Sequence, residues 1–218
     1  AGDTGNVNLT SSVDLLRFIQ AGNFTVHNDV PLLVQTVNVT EDLTIHNQGD
    51  LSTSFTSRNA GNNITVNVTG NVNLSNSNTA FNATTVSVLA TGNIAPTGFP
   101  DFDLIRSTNL ALSAGGTLSP DISFSATNIA LSAGVGDIDY FIPGTANIVS
   151  LSGVQGVQAP GSVNLDALGD MVLEAPVSGT WVTLIASGDI AQSGAGTRVL
   201  ADRLTASASG SVGSAATP

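Results

Sequence analysis

The chain has 218 residues, a formal net charge of −11, no cysteine, no lysine and five arginines. That balance excludes a disulfide-stapled scaffold and leaves no basic footprint for nucleic acid or an anionic lipid surface. No apolar run approaches the length of a membrane-spanning helix, so no membrane insertion is expected, and no charged-then-apolar leader precedes Ala1, which points to a chain that is mature or cut from something longer.

Reading from the start, a phrase of glycine, small polar residue and aliphatic residue keeps returning. It runs Gly5-Asn6-Val7, Gly22-Asn23-Phe24, Gly49-Asp50-Leu51, Gly70-Asn71-Val72 and Gly92-Asn93-Ile94. With drift it continues as Gly116-Thr117-Leu118, Gly136-Asp137-Ile138, Gly169-Asp170-Met171, Gly188-Asp189-Ile190 and Gly210-Ser211-Val212. The gap between Gly136 and Gly169 skips a beat, and Gly156-Val157 sits there as a degenerate copy. A step of about 20 residues is the signature of a solenoid. Thr25-Val26-His27-Asn28 returns as Thr44-Ile45-His46-Asn47, and Asn109–Gly115 returns as Asn128–Gly134, both after 19 residues, with a looser copy at Asn147–Gly153.

Within each repeat the pattern has period two, as in Asn63-Ile64-Thr65-Val66-Asn67-Val68 and Ser162-Val163-Asn164-Leu165. Alternation of that kind puts aliphatic residues on one face of a strand and Asn, Thr and Ser on the other, and Gly, Asn, Asp and Pro punctuate the turns. Short strands on a step of about 20 residues predict an all-β right-handed parallel β-helix of about ten rungs. Stacked at roughly 4.8 Å, those rungs form a rod of about 50 Å.

The first departure from the pattern is Ser12–Gln20. It reads either as a short amphipathic helix capping the first rung, with Ser12 as its N-cap, or as a strand with Leu15, Phe18 and Ile19 turned inward. His27 and His46 stand one rung apart on one face, near Asp29 and Asp50. Stacked His and Asp are a donor set for a metal, but the repeated Thr-aliphatic-His-Asn unit accounts for both histidines as outward strand residues. No metal and no cofactor are expected. Seven Asn-x-Ser/Thr sequons fall at Asn8, Asn23, Asn38, Asn63, Asn67, Asn73 and Asn82. A strand alternating Asn, aliphatic and Thr creates sequons by pattern, and its Asn side chains face outward, so glycosylation is sterically allowed.

Residues 1–84 are rich in Asn and Thr, and 85–218 in Ala, Ser and Gly. With no linker between them, the chain reads as one β-helical domain whose surface changes character. Phe99-Pro100-Asp101-Phe102-Asp103 and Asp139-Tyr140-Phe141-Ile142-Pro143 read as loops bulging from the rungs. Their residues Phe99, Asp101, Phe102, Asp103, Asp139, Tyr140 and Phe141 are the candidate contact surface. Gly134–Asp139 has some of the vocabulary of a calcium-binding nonapeptide turn but lacks its nine-residue recurrence. Asp101 with Asp103 and Asp137 with Asp139 are the closest acidic pairs. Glycoside hydrolysis needs two carboxyls at a defined separation, yet the scarcity of cations and aromatics argues against an enzyme.

Leu110-Ala111-Leu112-Ser113-Ala114-Gly115, Val182–Gly194 and Arg203–Gly210 resemble the repeats of filamentous-haemagglutinin-type exoproteins, and the likeness is best over 85–218. It implies a β-helical bacterial adhesin exported by a dedicated outer-membrane partner, although the Asn-Pro-Asn-type motifs of that family's secretion domain are absent from this sequence. The expected role is a non-enzymatic, extracellular or cell-surface stalk or fibre. Its expected partners are a second copy stacked end to end, or the flanking β-helix of a longer chain, together with host or matrix glycans or proteins. The alternative is a β-helical polysaccharide-cleaving enzyme or a tailspike-like carbohydrate-binding protein.

Overall fold

A computed structural model of the chain describes residues 5–17, 19–35, 37–54, 61–75, 79–98, 103–193 and 197–213. Among them every regular element is a strand and, with one exception, every strand pair is parallel. The chain winds into a right-handed parallel β-helix of about nine turns, the hand expected of parallel crossovers.

The first face stacks Val7–Ser11, Phe24–Asn28, Leu43–Asn47, Asn63–Val68, Thr85–Ala90, Asn109–Ala114 and Asn128–Ala133. Register is strict. Leu9, Val26, Ile45, Val66, Val88, Leu112 and Leu131 form one inward column, and all but Leu9 are buried. This is the period-two pattern realised rung after rung, each aliphatic residue packing on its equivalents above and below. The second face carries Leu15–Leu16, Leu32–Val34, Leu51–Thr53, Val72–Leu74 and Ile94–Pro96. On the third face Ile19–Ala21 pairs with Val37–Val39, and Phe81–Asn82, Ile105–Arg106 and Phe124–Ser125 stack in turn. One apolar cluster runs through the lumen from Leu16 to Ile190.

The capping helix is not formed. Ser12–Gln20 contributes Leu15–Leu16 and part of Ile19–Ala21 as strands. Leu16 is the inward residue, Leu15 is exposed, and Phe18 lies outside the described residues. The competing force is ladder pairing: Leu15 and Leu16 take Leu33 and Val34 as parallel partners, which an isolated turn of helix would forfeit.

Past Ala133 the cross-section changes. Asn128 and Ile129 pair with Asn147 and Ile148, whereas Leu131 and Ser132, in the same strand, pair with Val157 and Gln158. The first face thus divides into two short ones. Ala146–Ile148, Met171–Leu173 and Ile190–Gln192 continue one, and Val157–Gln158, Val177–Ser178 and Val199–Leu200 the other. The long strands move to a new sheet of Ile138–Ile142, Val163–Ala167, Trp181–Ala186 and Arg203–Ala208.

At the division the chain leaves the rung as an antiparallel hairpin, Ser150–Leu151 against Val154–Gln155. Its turn residues Ser152 and Gly153 both have positive φ, 52° and 84°, as a two-residue type I′ turn requires. The hairpin folds back on the outside of the first face, where Val154 packs on Ala111 and Ala130 with Leu151 beside them.

Candidate functional site

The outward residues of the first face form columns as regular as the inward ones. One column runs Thr10, His27, His46, Asn67, Leu89 and Ser113. One residue further along each rung the chain turns inward at Asn28, Asn47, Val68 and Ala90, and it emerges at Asp29, Gln48, Thr69 and Thr91. The two outward rows face one another across that bend and enclose a groove of about 780 Å³ that runs along the solenoid axis.

Two buried amides hold the bend in the early rungs. Asn28 Nδ2 donates to Val30 O at 2.7 Å and to Asn47 Oδ1 at 2.9 Å, and Asn47 Nδ2 donates to Gly49 O at 3.0 Å and Asp50 O at 3.1 Å. Both side chains are 3% exposed, so each polar atom must find a partner inside the protein. The neighbouring rung and the turn carbonyls supply them.

The His27 and His46 rings stack at 4.6 Å between centroids and 14° between planes. Their planes therefore lie across the groove and their edges face into it. Asn67 Nδ2 approaches His46 Nδ1 at 3.3 Å; with the amide donating, Nδ1 accepts and the neutral ring carries its proton on Nε2. Partial burial first, and the adjacent His27 second, lower the His46 pKa from the usual histidine value. Among the described residues Asp29 is the only carboxylate in the groove lining, and no arginine lines it. A smaller hollow of about 260 Å³ shares Leu89 and Ser113 with the groove and ends against Gly153, Val154 and Gln155 of the hairpin. The hairpin thus walls a hollow that adjoins the groove at its Ser113 end.

The expected contact loops fare differently. Phe99, Pro100, Asp101 and Phe102 lie outside the described residues. Asp103 is half-buried, and its carboxylate stands 3.7 Å from Arg106 Nε. Asp139–Pro143 is not a loop: Ile138–Ile142 is a strand of the long sheet. Its inward residue Tyr140 is buried and donates its hydroxyl to Ser119 O at 2.5 Å, and burial, reinforced by Asp121 and Asp139, raises its pKa. Tyr140 thus belongs to the core and not to a contact surface. Asp139 and Phe141 do face outward.

Of the two acidic pairs weighed for catalysis, Asp101 lies outside the described residues, and Asp137 and Asp139 are engaged between rungs. Asp137 Oδ1 accepts Ser162 N–H at 2.6 Å, and Asp139 Oδ1 accepts Asn164 Nδ2 at 2.9 Å. Among the described residues no group of three or more His, Asp or Glu is placed to hold a metal ion.

Of the sequon asparagines, Asn8, Asn38, Asn63 and Asn82 are exposed, and Asn23, Asn67 and Asn73 are half-buried. Asn67 is part of the groove floor. Asn23 is held by Asn6 and Glu41 through its amide nitrogen and accepts Asp42 N–H at 3.0 Å.

The Thr-aliphatic-His-Asn repeat carries the signal for the histidine stack. The concavity depends on where each rung bends, which period two does not report. Comparison with known proteins adds no name to this geometry: no family model matches the chain, and neither a curated protein nor a solved structure matches it.

Proposed function

We propose that this chain is a non-enzymatic, extracellular β-helical stalk subunit that stacks head to tail on a second copy of itself. The observation that carries the reading is the state of the two outermost described rungs. Val7 and Leu9, which point into the lumen from the first strand, are 43% and 37% exposed, and Leu204 in the last long strand is 52% exposed. Val7–Ser11 and Arg203–Ala208 each pair on one edge only among the described residues. An unpaired edge bordering an open apolar lumen is a template for more strands.

A second copy fits the template. The first rung runs from a long strand to two short ones, and the last long strand is likewise followed by a short bridge at Val212. Stacking of one end on the other is heterologous and does not close, so it propagates into a fibre. The sequence resemblance to filamentous-haemagglutinin-type exoproteins supports a bacterial cell-surface setting for such a rod.

Negative-stain electron microscopy of the purified chain over a range of concentrations tests the reading. Uniform fibres that shorten or vanish in Leu204→Asp are expected. Isolated rods at every concentration would overturn self-stacking and leave flanking β-helix of a longer polypeptide as the cover for these ends.

A further inference from the structure

The groove is independent of whether copies stack, because it lies on the side of the rod. We propose that it binds an extended, neutral glycan laid along the solenoid axis with about one sugar ring per rung.

Three observations lead there. The first is period. The floor residues His27, His46, Asn67, Leu89 and Ser113 occupy successive rungs in strict register, so the floor repeats roughly every 4.8 Å and extends for about 19 Å. An extended peptide advances by roughly 3.3 Å per residue and falls out of step with such a floor within a few residues. A pyranose ring linked through opposite corners advances by about one rung and stays in step.

The second is chemistry. Imidazole, carboxamide and hydroxyl groups each donate and accept hydrogen bonds, which is also the habit of a sugar hydroxyl. The stacked histidine edges and the Asn67 amide are held by one another before any ligand arrives, so little side-chain freedom is left to lose on binding. Leu89 adds an apolar step on which the C–H face of a ring can rest.

The third is charge. Asp29 is the one carboxylate in the described lining and no arginine lines it, while the chain as a whole carries −11. Sulfated, phosphorylated or uronate polymers would meet repulsion and no guanidinium to pair with.

The hairpin gives the site a direction. It lines the hollow that adjoins the groove at Leu89 and Ser113, so a polymer entering beside Thr10 and running on past Ser113 meets Gly153 and Gln155.

The two groove histidines are the only ones in the chain, so their ring C–H proton NMR signals report the site directly. Titration with cellohexaose and with N-acetylchitohexaose is expected to shift both signals saturably with at least one of the two. Calorimetry on the same sugar should show binding weakened about tenfold in Asn67→Ala, the loss of about one hydrogen bond, and abolished in Leu89→Arg, which fills the groove on the rung beside Asn67. Both residues are on the outer surface, and unchanged circular dichroism would confirm that the variants fold. Trp181→Ala, on the long sheet away from the groove, where Trp181 is 55% exposed beneath Arg203, should bind as the parent does. The proposal is overturned if neither sugar moves the histidine signals, if Trp181→Ala loses binding that the groove variants keep, or if a heparin hexasaccharide binds more tightly than the neutral sugars.

Discussion

The Asp50 carboxylate accepts the backbone N–H of Asn71 at 2.8 Å, Asn71 Oδ1 accepts that of Asn93 at 2.9 Å, and Asn93 Oδ1 accepts that of Thr117 at 2.7 Å. A second column does the same in the later rungs, from Asp170 to Asp189 at 2.8 Å and from Asp189 to Ser211 at 2.6 Å. Each acceptor oxygen sits where the next rung's glycine would otherwise carry a side chain. A Cβ on Gly92 would lie 2.5 Å from Asn71 Oδ1, and one on Gly188 would collide with Asp170 Oδ1. Glycine and Asx therefore travel together because the Asx of one rung occupies the space vacated by the glycine of the next. Gly188→Ala should cost about 1–3 kcal/mol through overpacking, and Asp170→Ala about 0.5–1.5 kcal/mol through the lost hydrogen bond. The double variant should cost less than the two together, because removing the carboxylate removes the clash. Urea denaturation of all four proteins gives the coupling, and strict additivity would sink the explanation.

Among elements, the hairpin at Ser150–Gln155 stands apart, since it belongs to no rung and rests on the stack from outside. The outward column beneath it runs Thr25, Thr44, Thr65, Ser87, Ala111, Ala130. It shrinks to alanine where Val154 docks. Val154 is 5% exposed, and burying a valine is worth about 1.5–3 kcal/mol, which is ample to hold a short hairpin and small beside the lumen. Val154→Asp should therefore release the hairpin and leave the rungs standing. Hydrogen exchange should quicken over 149–156 with little change over Asn109–Ala114; equal quickening in both would mean that the hairpin is part of the stack's cooperative unit. This element also marks the limit of what the sequence discloses. The rungs are legible from Val26, Ile45 and Val66, whose spacing and alternation leave one arrangement in which all are buried. Asn147–Gly153 keeps the opening Asn-aliphatic pair and the closing glycine of Asn109–Gly115 and Asn128–Gly134, and it reads as a looser copy of the same rung. Only its first half is one, because Ser152-Gly153 turns the chain back on itself and period two is common to parallel rungs and hairpins alike. The candidate site divides in the same way. The offset of 19 residues between His27 and His46 places them on one column, whereas the groove depends on the bend at Asn28 and Asn47, which is held by the Asn28–Asn47 amide bond between rungs as well as by turn carbonyls within each.

At the scale of the whole molecule, each rung contacts its neighbours and little else, so stability is nearly a sum of rung and interface terms along one axis. Inner rungs have two interfaces and the outermost described rungs have one. Leu112, with no exposed surface, lies between Val88 and Leu131, whereas Leu9 has Val26 on one side and 37% of its surface exposed. Leu112→Ala should lower stability by about 2–5 kcal/mol, the range for a buried leucine whose cavity cannot collapse, and Leu9→Ala by distinctly less. Amide exchange in dilute solution should follow the same gradient, fastest in Val7–Ser11 and Arg203–Ala208 and slowest from Asn63–Val68 to Asn128–Ala133, because end rungs open without the rest. The gradient also bears on assembly. If copies stack head to tail, raising the concentration adds the missing interface to both ends at once, and the two end strands should gain protection together while the middle stays as it was. Protection gained at one end alone would indicate a different contact, and a profile flat from end to end in dilute solution would mean that the rod unfolds as a single unit.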